Sequence, residues 1–336
     1  MGLAQGTWQN YVMLLISFVL MFLAIVKKYE PMLLLPIAFG MFLINLPGAE
    51  SVLWGTYPEG VEHTYENTTA ESRGLLWYLY YGVDKVIYPP LIFLGIGAMT
   101  DFGPLIANPK SMLIGAGAQI GIFLALFGSV LLGFDLTEAA AIAIIGGADG
   151  PTAIMVAKIL AENLLPIIAI AAYSYMALIP AIQKPVMRLL TTKKERAIRM
   201  KPLRQVSKVE KVIFPIAVTL VVGLLLPDAI PLLGMLMLGN LFRVSGVVER
   251  LSSQAQNGLI NTITIFLGIA VGCKAKGEIF LDYHTLLILV IGIAAFYCGT
   301  IGGLLVAKVM CKLSGGKIFA TDYTNASRTM LYDIHR

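Results

Sequence analysis

The reading of this chain turns on residues 136–160, LTEAAAIAIIGGADGPTAIMVAKIL. Two apolar half-helices flank the run Gly146-Gly147-Ala148-Asp149-Gly150-Pro151-Thr152. Glycine weakens a helix and proline removes a backbone donor, so their density here predicts a break. A carboxylate at bilayer depth costs roughly 2.5–3.5 kcal/mol on insertion scales. Broken backbone at that depth is tolerated only where it is buried in protein or lines a watery cavity. Carbonyls released at the break, the Asp149 carboxylate, the backbone at Gly147 and the Thr152 hydroxyl make a donor set for a hard cation. Transporters place ion sites at such discontinuous helices. The alternative is that Asp149 only caps the following half-helix, with Pro151 in its first turn. Both readings can hold together.

The rest of the chain supplies the setting. Of 336 residues, 57% are hydrophobic and only 13% charged. Mean hydropathy is +0.80. Soluble proteins carry about a quarter charged residues, so lipid is the expected outer solvent. The fold expected is all-α: a polytopic helical membrane protein with broken or re-entrant helices, forming a single integral membrane domain over 1–336. The predicted spans are 11–26, 31–46, 91–100, 111–134, 164–182, 212–226 and 285–309, with an apolar stretch at 259–271. The first apolar run follows no positive n-region, so it reads as a retained helix. Residues 75–87, rich in Trp and Tyr, read as an interfacial helix broken by Pro89-Pro90.

Charge orients the chain. The net charge is +5, and the basic residues concentrate in the loop 184–211, which the positive-inside rule places in the cytoplasm. No nucleic acid is needed to explain them. The acidic loop 48–73 then lies outside. If residues 111–134 run outward, a full crossing by 136–160 would put the basic loop on the wrong side. A re-entrant hairpin with its tip at Asp149 puts it back inside.

Other polar groups in apolar runs are weaker candidates. Tyr173-Ser174-Tyr175 lies in a predicted span and reads as helix–helix hydrogen bonding or part of a proton path. Asn261, Thr262 and Thr264 read as interhelical glue or an ion path. Asp101 is expected to end a span at the interface. The segment 240–251, with Asn240, Arg243, Glu249 and Arg250, reads as a polar amphipathic segment. It is either a solvated face or a cytoplasmic anion site. Cys273, Cys298 and Cys311 show no disulfide or zinc spacing. No Walker, Rossmann or Ser/His/Asp pattern is present.

Several stretches together resemble one family. They are Gly-Ile-Gly-Ala-Met-Thr-Asp-Phe-Gly-Pro-Leu-Ile-Ala-Asn-Pro (95–109), Gly-Gly-Ala-Asp-Gly-Pro-Thr-Ala-Ile (146–154), Ala-Ala-Tyr-Ser-Tyr-Met-Ala-Leu (171–178), Leu-Thr-Thr-Lys-Lys-Glu-Arg (190–196) and Gly-Asn-Leu-Phe-Arg-Val-Ser-Gly-Val-Val-Glu-Arg-Leu (239–251). The chain resembles the beta subunit of the biotin-dependent, sodium-pumping decarboxylases, from near the N-terminus to about Ile318. The resemblance implies decarboxylation of carboxybiotin coupled to sodium export, in the cytoplasmic membrane of a prokaryote. It implies a biotin-carrying carboxyltransferase subunit and a small membrane subunit as partners, in an oligomer. Asp149 matches the family's essential aspartate, a proposed sodium ligand, and Tyr175 a tyrosine of the proton and ion path. An internally repeated, inverted-repeat transporter-like fold is also implied. After Ile318 the family continues with an Asn-Pro-Leu-Ile-Gly stretch and a second broken segment. This chain reads Phe-Ala-Thr-Asp-Tyr (319–323) and then a polar tail to Arg336, so the second repeat is expected to be incomplete. A secondary cation/proton antiporter would share the broken helix. A mere membrane anchor would need neither the break nor the aspartate.

Overall fold

The computed structural model describes residues 6–28, 31–56, 67–192 and 204–313, and every regular element among them is helical. Thirteen helices carry the argument: α1 (Trp8–Ile25), α2 (Pro31–Ile44), α3 (Leu75–Asp84), α4 (Tyr88–Met99), α5 (Met112–Ala118), α6 (Ile120–Leu131), α7 (Leu136–Ala143), α8 (Gly150–Leu160), α9 (Leu165–Leu190), α10 (Lys208–Leu225), α11 (Ile230–Ser245), α12 (Ile260–Gly272) and α13 (Tyr283–Leu313). Four stretches are long and apolar enough to cross a membrane: Trp8–Ile25, Pro109–Leu131, Glu249–Gly272 and Tyr283–Leu313. The bent pair α3–α4 makes a fifth if counted as one span. This is a multi-pass membrane protein. The basic segment 193–203 and the tail 319–336 lie outside the described residues.

Lipid removes the hydrophobic drive between helices, so packing and interhelical hydrogen bonds must hold them. The exposed side of α1 is apolar, with Leu15, Phe18, Phe22 and Ile25 all more than half exposed. The interior contacts instead use small residues. At the α2–α12 crossing, a methyl on Gly40 would meet the Ile269 carbonyl, and one on Gly272 would overlap the Ile37 carbonyl. At the α4–α11 crossing, Gly97 lies on the Leu236 carbonyl and Gly239 on the Leu94 carbonyl. Both are reciprocal backbone-on-backbone contacts with the same three-residue offset.

Each crossing is closed by a buried asparagine. Asn45 donates to the Met41 and Ala275 carbonyls at 2.8 and 2.7 Å. Asn240 donates to the Gly97 and Thr100 carbonyls at 3.3 and 2.8 Å. Thr100 and Ala275 lie just past the ends of α4 and α12, where carbonyls lack helical partners, so these amides satisfy groups that lipid cannot. Arg243 adds a bond to the Met99 carbonyl. The expected polar amphipathic segment 240–251 is exposed at Arg243, Glu249 and Arg250 and is corrected at Asn240. Asn240 is fully buried within α11, and Gly246 ends that helix in a left-handed conformation with φ +70°.

A second correction concerns the α3–α4 corner. Pro89 and Pro90 do not break a helix. They occupy the first turn of α4, where a missing N–H costs nothing. The corner of 69° is made by Val86, whose φ is +53°. Trp77 and Tyr80 of α3 are buried, while Tyr78 and Tyr81 face outward. The expected run 111–134 is present as the span-length stretch Pro109–Leu131, with α5 and α6 meeting at Gln119. The helix expected at 164–182 continues to Leu190, and α10 starts at Lys208, so helix reaches into both ends of the expected loop 184–211.

Candidate functional site

The broken segment is built from both ends. Asp135 caps α7, accepting from the Thr137 amide at 3.4 Å and its hydroxyl at 2.6 Å. After α7 the chain tightens into a 3₁₀ turn, Ile144–Gly147. Ala148 then turns left-handed with φ +56° and ψ +34°, a strain of about 1–3 kcal/mol for a residue with a Cβ. Asp149 is extended and caps α8, with Pro151 in the first turn. Its carboxylate accepts from the Thr152 amide at 3.3 Å and the Thr152 hydroxyl at 2.5 Å.

The break is seated on backbone. A methyl on Gly146 would meet the Gly121 carbonyl of α6 at 2.9 Å and the Ala295 Cβ of α13 at 3.0 Å. Gly147 faces Ile122. The fully buried side chains Ile142, Ile145, Ile154, Leu165 and Ile168, in the turn and on the helices either side, belong to one hydrophobic core. The two limbs come back together away from the break: Asn163 donates to Glu138 at 3.0 Å. So α7 and α8 form a hairpin whose closed end carries Asp149.

A carboxylate has about four lone-pair sites. Two donors occupy Asp149, and among the described residues no Lys, Arg or His lies within ion-pair distance of it. The carboxylate therefore caps a helix and still has acceptor capacity for a cation from solution. Among the described residues no group of three or more His, Cys, Asp or Glu gathers. The donors at the break are instead carbonyl, hydroxyl and carboxylate oxygens, the set that hard cations take.

Comparison with known proteins fits this geometry. The family model described as "Na+-transporting oxaloacetate decarboxylase beta subunit" matches residues 9–321. The chain belongs to this family. It is 56% identical over 320 residues to the methylmalonyl-CoA decarboxylase subunit beta of Propionigenium modestum, covering 93% of this chain and 80% of that one. It is 52% identical over 316 residues to the glutaconyl-CoA decarboxylase subunit beta of Acidaminococcus fermentans, covering 94% and 80%. It is 47% identical over 363 residues to the probable oxaloacetate decarboxylase beta chain of Vibrio cholerae, covering 94% and 84%.

Within this sodium-transporting decarboxylase subunit, the structure joins some of the expected site residues and not others. Asp149 and Thr152 are hydrogen-bonded to each other, and Gly147 lies in the same turn. Asn261 is exposed on α12, and no described hydrogen bond links it to the break. Its neighbour Thr262 donates back to the Gly258 carbonyl at 2.8 Å, and Thr264 is buried. Tyr175 falls on α9, but its side chain lies outside the described residues.

Sequence reasoning missed a charged cluster at the open end of the hairpin. Lys158 of α8 binds Asp84 of α3 at 2.7 Å, and Lys85 lies 2.9 Å from the same carboxylate. Lys158 also pairs with Glu162. A lone lysine in the apolar half-helix 153–160 was the available signal. Nearby, Lys274 follows α12 with its ammonium 4.3 and 4.2 Å from the Trp54 and Tyr80 ring centres. Burial pushes its pKa down to about 8, against the pull of the aromatic faces toward the charged form.

Proposed function

We propose that this subunit decarboxylates carboxybiotin delivered by a biotin-carrying partner and uses the Asp149 hairpin to bind the sodium ion it exports. Carboxybiotin is the substrate here. Its C–N bond breaks, carbon dioxide leaves, and the ureido nitrogen takes the bonding pair and a proton. The observation that carries the reading is a carboxylate at the tip of an apolar hairpin, capped but unpaired with any cation among the described residues. Sodium bound there would draw on Asp149, Thr152 and backbone carbonyls around Gly147. Tyr175, on the neighbouring helix, is proposed for the proton and ion path.

The three relatives named above act on different acids, yet they share about half their residues with this chain. That supports a role in the step common to all of them, after the carboxyl group has left the acid. A small membrane subunit and an oligomeric assembly complete the proposed complex.

The topology supports an inverted repeat. Helices α1, α2, α4 and α5–α6 correspond to α10, α11, α12 and α13. The α2–α12 and α4–α11 crossings then exchange with each other, which accounts for their matching glycine offsets. In this reading the pairs Lys211–Asp101 and Arg204–Glu210, at 3.7 and 3.0 Å, lie at the cytoplasmic end, next to the basic segment between α9 and α10 that supports that orientation. The pairs Lys158–Asp84 and Lys276–Glu50 then lie at the outer end. The hairpin then enters from outside and returns.

The test is sodium-dependent decarboxylation of free carboxybiotin in proteoliposomes. Asp149→Asn is expected to abolish sodium stimulation. Full sodium-stimulated activity in that variant would overturn the assignment.

A further inference from the structure

Asp84 is the last residue of α3, and Lys158 lies in the last turn of α8. Their side chains are 3% and 18% exposed. An ion pair removed from water is a poor source of stability, because desolvation rivals the Coulomb gain. An apolar pair of similar volume often does as well. The best-attested use of such pairs is to fix register. A lysine near a helix carboxyl end already gains about 0.3–1 kcal/mol from the helix dipole, and it needs no buried partner for that. The buried Asp84 therefore calls for another explanation.

What the pair fixes is α8. This helix has 11 residues, so it is roughly 16 Å long at 1.5 Å per residue. Asp149 caps its amino end, and Lys158 ties down its carboxyl end. A short helix is a stiff rod, so holding one end along the axis sets the height of the other. The anchor is stiff as well. Asp84 leads directly into the left-handed Val86. The Tyr88 ring lies against Gly82 so closely that a methyl there would overlap it. Lys85 lies 2.9 Å from the second carboxylate oxygen of Asp84, and Glu162 holds Lys158 from its other side.

We propose that the Asp84–Lys158 pair is a positioning device that sets the height of the Asp149 carboxylate. It acts through α8 and touches neither sodium nor carboxybiotin. The proposal rests on the reading of Asp149 as a sodium ligand. It assigns to the α3–α4 corner a control over sodium affinity.

The experiment measures the sodium concentration for half-maximal stimulation, and turnover at saturating sodium, for the assembled decarboxylase in proteoliposomes. Lys158→Met leaves Asp84 buried with one cation fewer and is open to misfolding. The double variant Asp84→Leu/Lys158→Met removes both charges and tests position alone. Its half-saturating sodium is expected to rise roughly 10- to 100-fold, the usual cost of losing an outer-shell support. Turnover at saturating sodium is expected to change far less. Lys158→Arg, which keeps the charge, is expected to retain wild-type sodium dependence. A folded double variant with wild-type half-saturating sodium overturns the proposal. Failure of every variant, Lys158→Arg included, to fold also overturns it, because the pair would then be a folding element. Asp149→Asn in parallel separates the two readings. Sodium stimulation surviving in Asp149→Asn rejects the ion site itself. Stimulation lost in Asp149→Asn with an unshifted double variant rejects only the positioning role.

Discussion

Two helix breaks among the described residues are closely similar, at Val86 and at Ala148. Each break passes through a left-handed residue that is not glycine, with φ +53° and +56°. Each has an aspartate beside it and a proline in the first turn of the helix that follows. The aspartates differ in what surrounds them. Asp84 has two lysines against its carboxylate. Among the described residues Asp149 has only the Thr152 amide and hydroxyl. The same side chain on the same kind of backbone is paired with lysines in one place and, among the described residues, has no cationic partner in the other, where the sodium site is proposed. What surrounds the carboxylate, more than the break itself, separates an anchor from a site.

The largest expected effect that breaks this comparison is at the second aspartate. Asp149→Asn is expected to reduce sodium-stimulated decarboxylation to background, measured on free carboxybiotin. Asp84→Asn, with Lys158 and Lys85 left in place, is expected to weaken sodium affinity without abolishing stimulation. Next comes Thr152→Val. It removes a hydroxyl donor to a charged acceptor, worth about 1.5–3 kcal/mol. A loss of sodium affinity by roughly tenfold or more is therefore expected in a sodium titration. A Thr152→Val subunit with unchanged titration would confine that hydroxyl to capping.

Packing gives the third prediction. Gly97→Ala would drive a methyl into the Leu236 carbonyl, and overpacking of this kind costs about 1–3 kcal/mol. Gly128 has open space around it. Gly128→Ala is therefore expected to be neutral or to stabilise by about 0.5–1 kcal/mol. Thermal unfolding in detergent compares the two.

The smallest effect is at Lys274. Its folded pKa is about 8 against an ordinary value of 10.5. Between these values the unfolded chain holds a proton that the folded chain has released, so stability rises with pH. The wild-type protein is expected to show this rise between about pH 8 and 10.5, and Lys274→Met to lack it. Equal slopes in the two proteins would show that the aromatic faces keep the ammonium charged.

Much of this was legible along the chain because it is local. The break at 146–152, the Asp149–Thr152 cap and the helical class follow from glycine, proline and hydropathy within a few turns. The Val86 corner was not legible: a β-branched residue gives no sign of a left-handed turn, and Pro89-Pro90 offered a more obvious break. The Asp84–Lys158 pair joins residues 74 positions apart, and no periodicity reports such a meeting. Asn240 looked like part of a wet surface because its neighbours in sequence are charged. Its environment is set by α4, which lies far away in the chain.

The glycine crossings bear on how such a protein can move. Where backbone rests directly on backbone, no rotamers are available to readjust, and sliding would force peptide groups into one another. The two X-shaped joints therefore behave as welded struts. The short rod α8 is thus held between fixed points, with the left-handed Ala148 turn at its amino end and the Asp84 anchor, beside the Val86 corner, at its carboxyl end.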